Sequence, residues 1–239
     1  PRASCPGRKK ITWYAPQSAA VPPRKTIVIH NCGSAAIGIY KGKKSSMNSS
    51  EMEELYYINS KEQAAAEVLA CHLKEMLRHS PHPPVFLCIG SDRVTGDSLG
   101  PIIGSRLKTA WEKGFCTAVY GTLEAPVHAL NLKSTLEHIR LRHPENPVVA
   151  VDASLGVREH LGYITISRGS LSPGAGVNKT LECAGDIAIT GITAASGPFS
   201  HITLQTTRLS AVIPLAEPII QGILLACENY LAEAAASLS

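Results

Sequence analysis

Three runs of strand length, "PVFLCIG" (84–90), "NPVVAVDAS" (146–154) and "DIAITGIT" (186–193), are apolar along almost their whole length. A strand with one wet face alternates apolar and polar residues, whereas a strand apolar on both sides must be covered on both. Between and around these runs lie stretches of helical period. "SKEQAAAEVLACHLKEMLRH" (60–79) places Ala65, Val68, Leu69, His72, Leu73, Met76 and Leu77 on one stripe, with Ser60 as the expected N-cap and Gln63 as its capping-box partner. "LGPIIGSRLKTAWEK" (99–113) and "HALNLKSTLEHIRLR" (128–142) read as further helices, and a last helix covers about 207–236, its first half disturbed by Pro214 and Pro218. "CTAVYGT" (116–122) and "LGYITISRG" (161–169) add two strands. The alternation predicts a three-layer α/β fold, a mostly parallel open sheet with helices on both faces.

Charge separates the chain into two parts. Residues 1–46 hold nine of the 23 Lys/Arg and none of the 19 Asp/Glu, and they are rich in Pro, Gly and Ser. The expected organisation is a basic extension over 1–46, outside the domain and without fixed structure apart from one short strand at "TIVIH", followed by a single domain over 47–239. The remainder carries 14 Lys/Arg against 19 Asp/Glu, and a mildly acidic body argues against nucleic acid as its partner. No run of 18 apolar residues occurs, so no membrane span is expected. Seven cysteines without a CxxC pair suit a reducing cytoplasm, with Cys71, Cys88, Cys116, Cys183 and Cys227 as buried free thiols.

In folds of this class ligands sit beyond the carboxyl ends of the strands, and the polar residues collect there. "CIGSDRVTGDSLGP" (88–101) follows the first apolar run and holds Ser91, Asp92, Thr95 and Asp97. Asp152 lies near the end of the second apolar run. Were those two strands neighbours, Asp97 and Asp152 would face one crevice. Two carboxylates that close do not both ionise cheaply, so the pair could activate water and protonate a leaving group, or hold a divalent metal. The plainer alternatives are a helix cap for Asp97 and backbone hydrogen bonds for Asp152. A second cluster, Thr122, Glu124 and His128, follows a strand and lines the same crevice in this reading, unless Glu124 only meets a helix dipole and His128 only caps a helix. A third, "SPGAGVNK" (172–179), offers Gly174, Gly176 and Asn178 as donors to a substrate backbone or oxyanion, with a simple tight turn as the alternative. Neither a GxGxxG fingerprint, a Walker loop nor a GxSxG elbow is present, so no dinucleotide or nucleoside triphosphate is expected.

The stretches "CIGSDRVTGDSLGP", "VYGTLEAPVHALNL", "VVAVDASLG" and "SPGAGVNK", in that order, resemble the YyaC-type sporulation proteins of spore-forming Firmicutes, often labelled as spore proteases. The resemblance covers about residues 57–235. That family is similar, more distantly, to the germination protease of spores and to the hydrogenase maturation endopeptidases, which implies an α/β fold of the phosphorylase/hydrolase-like kind. The resemblance aligns their acid in the first strand–helix loop with Asp97, and their acid in a "DA" pair with Asp152. In the hydrogenase endopeptidases the two acids and a histidine bind nickel. "SPGAGVNK" has no histidine where that ligand would fall, so the germination-protease pattern is the closer one and neither a metal nor another cofactor is implied.

The resulting expectation is a cytoplasmic peptidase of the sporulating cell or forespore. Asp97 and Asp152 would be catalytic, and Ser91, Asp92, Thr95, Glu124, His128, Gly174, Gly176 and Asn178 would contact a protein or peptide substrate. Two alternatives stay open: a non-catalytic peptide- or ligand-binding protein on the same scaffold, and a metal-dependent hydrolase. Oligomeric state is not legible in the sequence.

Overall fold

The computed structural model describes residues 26–32, 35–42, 55–111, 118–173 and 182–237. Eight strands among them form one sheet: β1 (Thr26–Cys32), β2 (Ala35–Gly42), β3 (Leu55–Asn59), β4 (Val85–Cys88), β5 (Val119–Tyr120), β6 (Val148–Gly156), β7 (Tyr163–Arg168) and β8 (Ile187–Ala195). Their spatial order is β1-β2-β3-β7-β8-β6-β4-β5. The contiguous block β8-β6-β4-β5 is parallel, and β7, β3, β2 and β1 continue it antiparallel.

Helices cover both faces. α1 (Ala65–Leu77), α2 (Leu99–Trp111) and α5 (Leu209–Ser237) lie on one, α3 (Leu132–Arg142) on the other, and the short α4 (Ser200–Thr206) follows β8. The runs that read as apolar on both sides are apolar for this reason. On β4, Phe86 and Cys88 enter a core with Leu69, Leu73, Leu99, Ile103, Leu215 and Ile219, while Val85 and Leu87, with Ile89 just past the strand, enter a second core with Leu132, Leu136 and Ile139. The three-layer α/β fold is thus present as expected from the alternation. α2 approaches the sheet so closely that a Cβ on Gly104 would collide with the Gly121 carbonyl. Gly121 itself has φ of +88°, a conformation that favours glycine.

Several local expectations need correcting. α1 starts at Ala65 with Ala64 in the cap position and no side-chain cap, so Ser60 is not the N-cap. The competing structure is a turn run by Asn59, whose Oδ1 accepts from the Lys61 amide and whose carbonyl accepts from the Glu62 amide. Pro214 and Pro218 do not break α5: both sit inside a helix that is continuous from Leu209 to Ser237. Its segment Leu209–Glu228 is long and apolar enough to cross a membrane by length and composition, with mean hydropathy 1.7. That hydropathy has a packing cause, because Val212, Leu215, Ala216, Ile219, Ile220 and Ile223 are buried in the core against α1 and α2. Cys88 and Cys227 are buried, and burial pushes both thiols up to about 12. Cys71 is only half-buried and Cys183 is exposed, contrary to expectation, and Cys116 lies outside the described residues.

Two strands lie on the far side of the expected domain start at residue 47. β1 and β2 pair along seven residues each, and β2 joins the sheet through Tyr40, Lys41 and Gly42 opposite Tyr57, Tyr56 and Leu55. β1 contains the strand expected at "TIVIH", whereas β2 and β3 were not anticipated. The five residues of β3 alternate half-buried and buried, a pattern too short to stand out in the sequence.

Candidate functional site

The chain leaves β4, passes through α2 to β5 on one side, and returns through α3 to β6 on the other. The helices depart to opposite faces, so a crevice opens beyond the carboxyl end of β4, where the strand order reverses. Asp97 and Asp152 both come to this place. Cys88, the last residue of β4, pairs with Val151 of β6, and Asp152 is therefore the first residue of β6 beyond the end of β4. Asp97 ends the 3₁₀ turn Thr95–Asp97 that arches over the same strand ends.

That turn is held from three directions. The Ser91 amide donates to the Asp97 carbonyl at 3.1 Å. The Thr193 hydroxyl of β8 donates to the Gly96 carbonyl at 2.8 Å. The Ser98 hydroxyl donates to the Thr95 carbonyl at 2.7 Å. Gly90 permits the arch: its φ is +145°, and a Cβ there would strike the Asp97 carbonyl oxygen.

Both carboxyls are displaced toward the neutral form. Burial raises Asp97 to about 6, against the opposing effect of a backbone hydrogen bond from Ser91. Asp152, 7% exposed, is held well above the usual carboxylate range, first by burial and then by repulsion from Asp97. The repulsion between the two is mutual, so whichever carboxyl loses its proton first makes the other harder to ionise. One backbone bond works the other way, the Ala153 amide donating to Asp152 Oδ1 at 2.8 Å.

Asp152 begins a row of polar groups across the sheet. It pairs in register with Thr190, Thr190 with Thr165, and Thr165 with Tyr57. The Thr165 and Thr190 hydroxyls are 2.8 Å apart, and the Ser154 hydroxyl is 2.9 Å from that of Thr190. These hydroxyls satisfy one another in a buried place. Sequence reasoning passed over Thr165, Thr190 and Thr193, although threonines inside otherwise apolar runs were a signal to follow.

The other candidates divide. Ser91 acts on Asp97 through its amide, and its hydroxyl accepts from the Arg93 amide at 3.2 Å. Asp92 and Thr95 line a pocket of about 410 Å³ together with Ser98, Ile102, Leu123, Leu209 and Ile213. His128 is brought near the loop, since the Gly90 amide donates to the carbonyl of the adjacent Val127 at 2.8 Å. Its ring is engaged locally: Nδ1 accepts from the Leu130 amide at 3.3 Å, in the turn ahead of α3 and not at its cap. Thr122 likewise closes its own turn, accepting from the Ala125 amide. Glu124 is exposed. Gly174, Gly176 and Asn178 lie outside the described residues. Among the described residues no three His, Cys, Asp or Glu side chains converge as a metal site would require. A second cavity of about 290 Å³, lined by Arg140, His143, Asn146 and Asp186 among others, lies at the opposite, amino-terminal end of β6.

A family profile described as "Protein of unknown function (DUF1256)" matches residues 57–222, which include both acids and the turn between β4 and α2. The chain belongs to this family. It is also 41% identical over 184 residues to "Uncharacterized protein YyaC" of Bacillus subtilis (strain 168), a match covering 77% of this chain and 89% of that protein. The YyaC-type resemblance read from the motifs is thereby shown.

Proposed function

We propose that this protein is a peptidase in which Asp97 and Asp152 act together on a water molecule. The observation that carries the proposal is the meeting of two carboxyls, 55 residues apart in the chain, at the carboxyl ends of adjacent parallel strands, where both are displaced toward the neutral form. In this reading Asp97 acts as the anion and Asp152, the more deeply buried of the two, carries the proton. In the proposed reaction Asp97 takes a proton from water as the water oxygen bonds to the peptide carbonyl carbon. Asp152 gives its proton to the carbonyl oxygen. The tetrahedral intermediate collapses as the C–N bond breaks, the leaving nitrogen takes the proton held on Asp97, and the oxygen returns its proton to Asp152. One water is consumed and both acids are restored.

The proposed setting is the cytoplasm of a sporulating cell, with a spore protein or proprotein as substrate. It rests on the YyaC-type membership and on the likeness of the two acids to the germination-protease pattern. Purified protein added to a sporulation-stage extract is expected to release a defined fragment, absent with Asp97→Asn. Identical product profiles from the two proteins overturn the reading. One feature favours a second reading, a binding protein without hydrolysis: Asp152 is 7% exposed and lines neither cavity. In that case Asp97→Asn changes the affinity for a spore protein in a pull-down and no fragment forms with either protein.

A further inference from the structure

The pocket beside the acid-bearing turn has a division of chemistry that none of the preceding steps uses. Thr95 and Ser98, which flank Asp97 in the chain, line it together with Asp92. Its remaining lining is aliphatic: Ile102 of α2, Leu123, and Leu209 and Ile213 of α5. Leu123, Leu209 and Ile213 are 44–49% exposed, an unusual disposition for three large aliphatic side chains gathered around one cavity. Two contacts join the elements that supply the aliphatic lining. The Leu123 amide donates to the Ser105 hydroxyl of α2 at 2.9 Å, and Arg106 of α2 pairs with Glu217 of α5 at 3.6 Å. Asp92 is exposed and enters no ion pair among the described residues. A volume of about 410 Å³ is at the small end of the range of ligand pockets, the scale of one or two side chains rather than of a cofactor.

We propose that this pocket selects the substrate of the peptidase reading: it receives a large aliphatic side chain of the peptide, and Asp92 pairs with a Lys or Arg next to that side chain. The proposal rests on the peptidase reading for its substrate class, and two arguments favour a peptide as the occupant. The pocket adjoins the turn that carries Asp97, so a side chain seated in it lies beside the scissile region. An aliphatic lining with one exposed carboxylate in it is complementary to an aliphatic–basic pair, and not to a wholly polar or acidic segment.

The test separates binding from hydrolysis. Full-length Asp97→Asn protein is titrated with fluorescein-labelled decapeptide mixtures from a positional-scanning library, and affinity is read by fluorescence polarisation. Mixtures with Leu or Ile at the central position are expected to bind at least about tenfold more tightly than those with Ala or Ser. Ile213→Glu, at a half-exposed position that the core does not need, is expected to erase that preference. Asp92→Asn is expected to erase the advantage of Lys or Arg over Glu at the neighbouring position and leave the aliphatic preference in place. Equal affinity for all mixtures, or no binding by any, overturns the pocket assignment. A preserved aliphatic preference in Ile213→Glu, with circular dichroism unchanged, overturns it as well. Hydrolysis by the wild-type chain is measured separately on the same mixtures. Selective binding without hydrolysis removes the peptidase reading and keeps the pocket, whereas hydrolysis without selectivity does the reverse.

Discussion

Asp97 is a residue the fold would be more stable without. A carboxyl whose native pKa is raised favours the folded state fully below its unfolded pKa, near 4, and loses that contribution as pH rises through the native value. For Asp97 the window runs from about pH 4 to somewhat above 6. Holding its pKa at about 6 instead of 3.8 corresponds to about 3 kcal/mol of destabilisation once the group is fully ionised. Asp97→Asn is therefore expected to melt several degrees higher than the wild type at pH 8 and at nearly the same temperature at pH 4. Thermal denaturation followed by circular dichroism at the two pH values measures this, and equal shifts at both pH values would show that the carboxyl's ionisation is not the cause. The same displacement shapes the proposed activity. The rate should fall below about pH 6 as Asp97 takes up its proton, and fall again at higher pH as Asp152 loses its own. Asp152→Asn should abolish the reaction and remove the upper limb's cause with it, while binding of the peptide mixtures persists. The position of both acids at the ends of apolar runs made them legible as candidates. Their displacement toward the neutral form was not, because it depends on burial and mutual proximity that residue types do not encode.

The element that matters most to the site is three residues long. Thr95–Asp97 has no side-chain cap at its start and depends on neighbours for its position, among them Thr193 through the Gly96 carbonyl. Thr193→Val keeps the shape of the side chain and removes the donor, leaving a buried carbonyl short of a partner. A loss of about 1–2 kcal/mol, or about 2–8 °C in melting temperature, is expected. Under the peptidase reading kcat falls and KM is little changed, because Asp97 shifts while the pocket keeps its walls. Thr193→Ser, which retains the hydroxyl, should restore kcat, and a failure of that rescue would show that the hydrogen bond is not what positions Asp97. Gly90→Ala should be harsher, since it combines a strained φ with a collision against the Asp97 carbonyl. Elements of this kind mark the limit of sequence reasoning. β4, β6 and β8 announce themselves because both their faces are buried, and α1 because its stripe is long. The start of α1 did not, because Asn59 offers its turn a competing set of hydrogen bonds. A turn fixed by a threonine 97 residues away leaves no local pattern at all.

At the scale of the whole molecule the sheet has two unlike halves. The parallel block β8-β6-β4-β5 carries the acids and is packed between helices. The antiparallel side ends in the β1–β2 hairpin, which attaches to β3 through three residue pairs. An isolated two-stranded hairpin is marginal on its own, and three residue pairs make a short seam. Deleting residues 1–46 should thus lower the melting temperature by no more than a few degrees and leave proposed activity and peptide binding intact. The deletion has a second consequence, because it turns β3 from an interior strand into an edge. Unpaired edges invite pairing with another chain. β3 presents "LYYIN", apolar and aromatic with no charge to discourage such pairing. The truncated chain should therefore self-associate more than the full chain, in a manner that rises with concentration and is suppressed by a charge placed on that edge, as in Tyr57→Lys. Analytical ultracentrifugation of the full chain, the truncated chain and the truncated Tyr57→Lys chain at matched concentrations decides this. A large loss of stability in the truncated monomer would instead mean that the hairpin supports the core. Equal self-association of the full and truncated chains would mean that it does not protect the edge.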